Sequence, residues 1–316
     1  MADWVRALAA EAAAGRRAVL VSVAHAAGST PREAGAAMIV RADGQTGTIG
    51  GGALEWEAVA RARTLLAEGA GDAVWRMALG PTLGQCCGGA VTLVAERFDA
   101  ARVASLEGDV IARPLPGGPQ EMPLTVRRAL ARARGEGVPS SARVVGSWLI
   151  EPVARPLRDI WVWGAGHVGR ALVSVIAPLP GFRVTWVDVS AVRFPAALTE
   201  GVVQRIAADP AALVAEAPAQ AEHFVLTFSH SLDLELCHRL LRHGFRSLGL
   251  IGSATKRARF RSRLLALGHA EAQVGRIVCP IGDPSLGKHP QAIAVGVAAG
   301  LLSGSSAIQS AKDRAG

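Results

Sequence analysis

One glycine-rich hexapeptide constrains this chain more than any other feature. Ile160 to Trp163 is a short apolar run of strand type, and Gly164-Ala165-Gly166-His167-Val168-Gly169 follows it directly and opens a helical pattern. In that context, the spacing describes a strand–turn–helix unit built to receive a phosphate. The first glycine permits the tight turn. The second lets a phosphate approach the backbone, and the third allows close helix–sheet packing. The start of the helix supplies amide donors and positive potential. The next strand, Arg183 to Asp188, ends on an acid at the spacing such units use. Asp188 has three open readings: an acceptor for a ribose hydroxyl, an acceptor for the amidine-like edge of a pterin or nucleobase, or a helix cap or surface ion pair. His167, inside the loop, faces either the ligand or solvent.

The rhythm beyond residue 157 extends this unit into a domain. Ile160 to Trp163, Arg183 to Asp188, His223 to Thr227 and Ser247 to Ile251 read as strands. Val168 to Ala177, Ser231 to Leu241 and Ala254 to Leu265 read as helices, and Ile293 to Leu302 reads as a closing helix. Alternation of this kind predicts a Rossmann-like doubly wound parallel sheet over residues 157–316. Residues 1–153 read differently. A helix over Trp4 to Ala14 precedes strands at Ala18 to Ala26, Ala36 to Arg41 and Thr46 to Ile49. A helix from Ala53 to Glu68 and strands at Ala73 to Leu79 and Ala90 to Ala95 follow. This mixture predicts an α+β domain. The fold class is therefore α/β, an N-terminal α+β domain followed by the parallel sheet. The pattern weakens over 98–141, where Pro114 to Pro119 reads as loop. Leu124 to Arg134 reads as a short basic helix and Val144 to Ile150 as one more strand.

Composition narrows the function classes. No apolar stretch is long enough to span a bilayer, and Met1 to Arg6 carries an early acid without a leader-type apolar core. The expected location is cytoplasmic. The net charge of +8 is spread along the chain, and there is no Tyr and only 7 Phe for base stacking. Nucleic acid is therefore not an expected partner, while an anionic ligand or acidic partner is. The four cysteines, Cys86, Cys87, Cys237 and Cys279, form neither a disulfide framework nor a CxxC pair.

Other segments carry potential chemistry. Gly84-Gln85-Cys86-Cys87-Gly88-Gly89 sets two thiols on a pliable, accessible turn. A thiolate there can carry sulfane sulfur, bind a soft metal or form a mixed disulfide; alternatively, the pair is two small apolar residues in a turn. Gly50-Gly51-Gly52 leads into a helix and reads equally as an anion nest or a hairpin end. Gly287-Lys288-His289-Pro290 is a rigid loop whose Lys288 can reach an anion. Lys256-Arg257-Ala258-Arg259 sits on a helix at the ligand side of the sheet, and Asp233 and Glu235 near His230 offer a base without demanding one.

These segments together resemble the XdhC/CoxI family, accessory proteins of molybdenum hydroxylases. The resemblance rests on Gly28-Ser29-Thr30-Pro31-Arg32, on Gly50 to Glu55, on Gly84 to Gly89 and on Trp163 to Gly169. It rests also on Gly249 to Ser253 with Lys256 to Phe260, and on Cys279-Pro280-Ile281-Gly282 with Gly287-Lys288. It implies a protein that binds molybdenum cofactor (molybdopterin), protects it during sulfuration and delivers it to apo xanthine dehydrogenase. The implied partners are the molybdenum-binding subunit of that enzyme, a cysteine desulfurase and a second copy of the chain; the implied role is non-catalytic. Combined with the residue reading, the expected cofactor-binding residues are Cys86, Cys87, Gly164, Gly166, His167, Gly169, Asp188 and Lys288, with Cys86 or Cys87 toward molybdenum. One position departs: members often carry a histidine where this chain has Phe228, while His230 remains. Two other classes stay open, an NAD(P)-dependent oxidoreductase and a cysteine-dependent sulfurtransferase acting on the cofactor.

Overall fold

The structure is a computed structural model that describes residues 3–80, 88–106, 108–135, 141–153 and 157–303. Its internal contacts divide the chain into two units, Met1–Pro156 and Leu157–Gly316.

The first unit runs α1 (Asp3–Ala13), β1 (Ala18–Ala27), β2 (Ala37–Val40), β3 (Gln45–Gly47), α2 (Gly52–Glu68), β4 (Ala73–Ala78) and β5 (Ala90–Phe98). It continues with α3 (Ala100–Ala104), β6 (Val110–Pro114), α4 (Leu124–Gly135), β7 (Arg143–Val145) and β8 (Trp148–Pro152). Strands β3-β2-β1-β5-β4 form one antiparallel sheet, and β6-β8-β7 form a second. Side chains alternate along a strand, and β1 uses both of its faces. Val19, Val21 and Val23 pack with Leu54, Ala58 and Ala62 of α2, while Ala18 and Leu20 pack with Leu8 of α1 and Phe98. This is why β1 reads as a continuous apolar run.

The smaller sheet corrects two expectations. The span Val144 to Ile150 is a hairpin, because Gly146 takes a positive φ of 60° and turns β7 back into β8. The weakly patterned region before it contains β6. That strand hides from a hydropathy reading because Arg113 lies buried in it. Arg113 bonds Glu96 of β5 through Nε at 3.0 Å and Glu151 of β8 through Nη2 at 2.8 Å. Two carboxylates compensate a charge that would otherwise be prohibitive to bury.

The second unit runs β9 (Arg158–Trp163), α5 (His167–Ile176), β10 (Phe182–Asp188), β11 (Val203–Ile206), β12 (Glu222–Val225) and α6 (His230–His243). It closes with β13 (Ser247–Leu250), α7 (Ala254–Ala266), α8 (Glu271–Val274), β14 (Ile277–Val278) and α9 (Pro290–Leu302). All six strands are parallel, in the order β11-β10-β9-β12-β13-β14. Both faces are covered, so the central strands are mainly apolar, and the polar residues that open β12, Glu222 and His223, are buried with them. Ile160 and Val162 face the layer of α5 and α9, whereas Trp161 and Trp163 face that of α6 and α7. Ser229 caps α6 by accepting from Leu232 N, and Ser253 caps α7 by accepting from Lys256 N.

Candidate functional site

The sheet order places β10 on one side of β9 and β12 on the other. The carboxyl ends of these strands are therefore a topological switch point, where open α/β sheets receive ligands. The glycine turn occupies this point, and its three glycines answer to different constraints. Gly164 has φ +120°, and a Cβ there would stand 2.4 Å from Leu226 O. A Cβ on Gly169 would stand 2.1 Å from Gly164 O. Both glycines are demanded by the fold itself. Gly166 is not: its φ is −75°, open to any residue, and a Cβ there meets nothing within 4 Å. It is the N-cap of α5 and no side chain caps that helix start. A clear approach thus leads to the amide end of a ten-residue helix.

Asp188 is 4% exposed and its oxygens face the protein. Oδ2 accepts from Ala165 N at 2.5 Å, Oδ1 accepts from Val189 N at 2.7 Å, and Arg193 Nε lies 2.8 Å from Oδ1. Asp188 fastens the glycine turn to the end of β10 rather than presenting a free acceptor edge, because the backward-folding turn brings an amide within its reach.

The far bank of the crevice is anchored just as firmly. Asp233 is fully buried in the first turn of α6. It accepts from Thr227 N at 3.0 Å, Thr227 Oγ1 at 2.7 Å and Lys256 Nζ at 2.6 Å. Lys256 also donates to Ile251 O at 2.9 Å. The basic cluster read from the sequence therefore divides: Lys256 turns inward, while Arg257 and Arg259 stay exposed. Asp233 is an anchor that its spacing alone could not reveal, since it acts through chain segments before and after its helix.

His167 is exposed and lines a hollow of about 570 Å³ together with Arg170, Trp186, Thr199, His289 and Gln291. Lys288 is exposed and immediately precedes His289, the N-cap of α9. Helices α5 and α9 pack together, so His167, His289 and Lys288 belong to one neighbourhood. Only His167 and Lys288 stood out in the sequence.

In the first unit, Cys86 and Cys87 lie outside the described residues. Their flank is closely set: a Cβ on Gly89 would stand 2.4 Å from Ser29 O and 2.5 Å from Ala27 O. A Cβ on Gly50 would stand 2.4 Å from Pro31 Cβ. Three motifs distant in sequence, at residues 28–32, 50–55 and 88–89, therefore meet at one place. The Gly50-Gly51-Gly52 turn is an anion nest filled by the chain's own Glu55. That carboxylate accepts from Ile49 N at 3.0 Å, Gly51 N at 3.1 Å, Thr48 Oγ1 at 2.5 Å and Gln45 Nε2 at 2.8 Å. Burial works against the charged form, but the donors outweigh it and hold Glu55 below the usual carboxylate range. Glu55→Ala should lower the stability of this unit by about 1–2 kcal/mol, read by urea unfolding. An unchanged midpoint would mean the turn holds itself.

Comparison with known proteins places the chain. The family described as the XdhC and CoxI family matches residues 11–76, and the XdhC Rossmann domain matches residues 160–301; together they cover more than half of the sequence. The chain belongs to the XdhC/CoxI family. An Escherichia coli (strain K12) protein described as uncharacterized protein YqeB is 30% identical over 140 residues, which is 44% of this chain and 26% of that protein. The chain thus spans about a quarter of that relative's length. A Bacillus halodurans structure described as a xanthine dehydrogenase aligns at a TM-score of 0.73 and 20% identity, covering 96% of this chain and 95% of that one. At that identity, the likeness concerns the fold. Among the described residues, no helix is long and apolar enough to cross a membrane, and no three His, Cys, Asp or Glu side chains gather as metal ligands.

Proposed function

We propose that this XdhC/CoxI member binds a molybdopterin-type cofactor as cargo, protects it during sulfuration and hands it to apo xanthine dehydrogenase. The observation that carries the reading is Gly166. It is the one glycine of the turn that the fold does not require, and it stands at an uncapped helix start with clear space before it. Backbone amides and helix dipole there suit the phosphate end of the cargo, and Arg193 and Lys288 add cationic groups, and His167 a ring nitrogen, in the same region of the second unit. Family membership supplies the class of cargo. Cys86 and Cys87 offer soft thiolate ligands of the kind a molybdenum cargo takes, and the partners that follow are xanthine dehydrogenase, a cysteine desulfurase and a second copy of the chain. A nicotinamide-dependent dehydrogenase ranks below this reading. Its ribose would need a free acceptor at Asp188, whose oxygens already serve Ala165 and Val189.

The test is equilibrium titration of the purified protein with molybdopterin. Gly166→Val places a branched side chain where the phosphate must approach, yet its Cβ meets no neighbour within 4 Å, so folding should survive. Losing charge-assisted amide contacts costs roughly 1.5–3 kcal/mol, so affinity should fall about 10- to 100-fold. A folded Gly166→Val protein that binds with parental affinity, or a parent that takes up nicotinamide dinucleotide in preference, would remove the turn from the cargo site. Reconstitution of apo xanthine dehydrogenase with Cys86→Ala and Cys87→Ala variants separates holding of the cargo from relay of sulfur. Loss of binding marks holding, whereas normal binding with an unsulfurated product marks relay.

A further inference from the structure

Two side chains close over the switch-point crevice from opposite banks. Arg193 ends a short helical turn after β10, and Phe228 follows β12, with β9 and its glycine turn between them. The Arg193 guanidinium carbon lies 4.6 Å from the centre of the Phe228 ring, while its Nε pairs with Asp188 at 2.8 Å. Beside Phe228, the residues Trp163, Gly164, Val187, Asp188 and Thr227 close up so tightly that no water-sized group fits between them. A cofactor-sized ligand needs about 300 Å³ or more.

The backbones that carry this pair are fixed. Arg170 donates to Arg193 O through Nη2 at 2.6 Å and to Ala165 O through Nε at 3.2 Å, tying the Arg193 turn to the glycine turn. On the other bank, Thr227 is held by Asp233, and Ser229 N donates to Thr227 Oγ1 at 3.2 Å. Only the side chains are left to move. Phe228 is 63% and Arg193 31% exposed, so both have room to swing outward.

We propose that Arg193 and Phe228 form a side-chain latch across the crevice, and that Arg193 makes the crevice select a phosphate-bearing ligand over its neutral counterpart. The inference rests on the crevice being the cargo site proposed above. A guanidinium has five N–H donors, and an aromatic face engages it without accepting one strongly. A phosphate can replace the ring as partner with a bidentate, charge-assisted contact. A neutral ligand offers nothing in exchange for opening the latch, and without Arg193 a phosphate would meet the bare Asp188 charge. Phe228, the position that departs from the family's usual histidine, offers the guanidinium an aromatic face that never carries a competing positive charge.

Two measurements on the full-length protein test this. The first needs no ligand. In ¹⁵N-correlated NMR, the Arg193 Nε–H should give a protected signal displaced by the ring current of Phe228, and Phe228→Ala should remove that displacement. An unchanged signal would overturn the latch. The second uses the fluorescent oxidised pterin monophosphate derived from molybdopterin, before and after phosphatase treatment. The parent should prefer the phosphorylated form by about tenfold. Arg193→Ala should reduce the preference severalfold, leaving only the part that the Gly166 turn amides supply, and Phe228→Ala should tighten both forms severalfold while keeping it. A preference that Arg193→Ala leaves undiminished overturns the selectivity. If the parent binds neither form, the cargo reading and the selectivity fall together, while the NMR result still decides the latch.

Discussion

Asp233→Ala is expected to lower the stability of the second unit by about 3–5 kcal/mol, the usual consequence of leaving a buried charge without its partner. Asp233 is fully buried, and its loss strands three donors: Thr227 N, Thr227 Oγ1 and Lys256 Nζ. The Lys256 side chain, itself mostly buried, would have to leave its place or lose its proton. Asp233→Asn should recover part of the loss, since it keeps an acceptor for Thr227. The double change Asp233→Leu with Lys256→Met should lie well above the sum of the single losses, because an apolar pair of similar size avoids both desolvation terms. Urea unfolding monitored by tryptophan fluorescence gives the comparison. A loss below 1 kcal/mol in Asp233→Ala would mean that water reaches this network and that the Thr227 turn is not anchored by it.

The second large effect is a dependence on pH. His223 lies at the core of β12, with Trp163 Nε1 donating to its Nδ1 at 3.1 Å and the two rings stacked 6.0 Å apart. That bond places the ring proton on Nε2, which is buried and has no hydrogen-bond partner. Burial, with a smaller push from His243, lowers the pKa of His223 from 6.5 to about 3. The folded protein therefore keeps this ring neutral where the unfolded chain takes up a proton. Its contribution to stability is complete above pH 6.5 and is lost as pH falls from there toward 3, by about 3–5 kcal/mol in all. His223→Phe should flatten this part of the stability–pH curve, at the cost of stranding the Trp163 N–H. An imidazole NMR titration of the parent should show His223 neutral at pH 5; a midpoint near 6.5 would refute the assignment.

The proposed cargo site meets these effects at the same strands. Trp163, the residue before the glycine turn, is held by His223 on one side and borders the crevice on the other. Acid that charges His223 should therefore loosen the turn before the sheet as a whole. The anchors around the turn, Asp188, Arg170 and Asp233, explain how a ligand loop can be rigid without a ligand-specific scaffold.

Much was already decided in the linear order of residues. A strand followed by Gly164 to Gly169, and a repeating strand–helix period after residue 157, determine a parallel sheet covered on both faces, because each intervening helix is the crossover that parallel pairing requires. Family membership was legible in motifs whose spacing survives without contacts. Tertiary structure alone decided what the charged residues do, since a charge is defined by what the fold brings beside it. Arg113 hid β6 because two glutamates from other strands compensate it. Asp188 came to fasten the glycine turn because the turn folds an amide back onto it, and Glu55 filled the nest that the glycines built. Phe228 gained meaning only opposite Arg193, thirty-five positions away in sequence and 4.6 Å away in space.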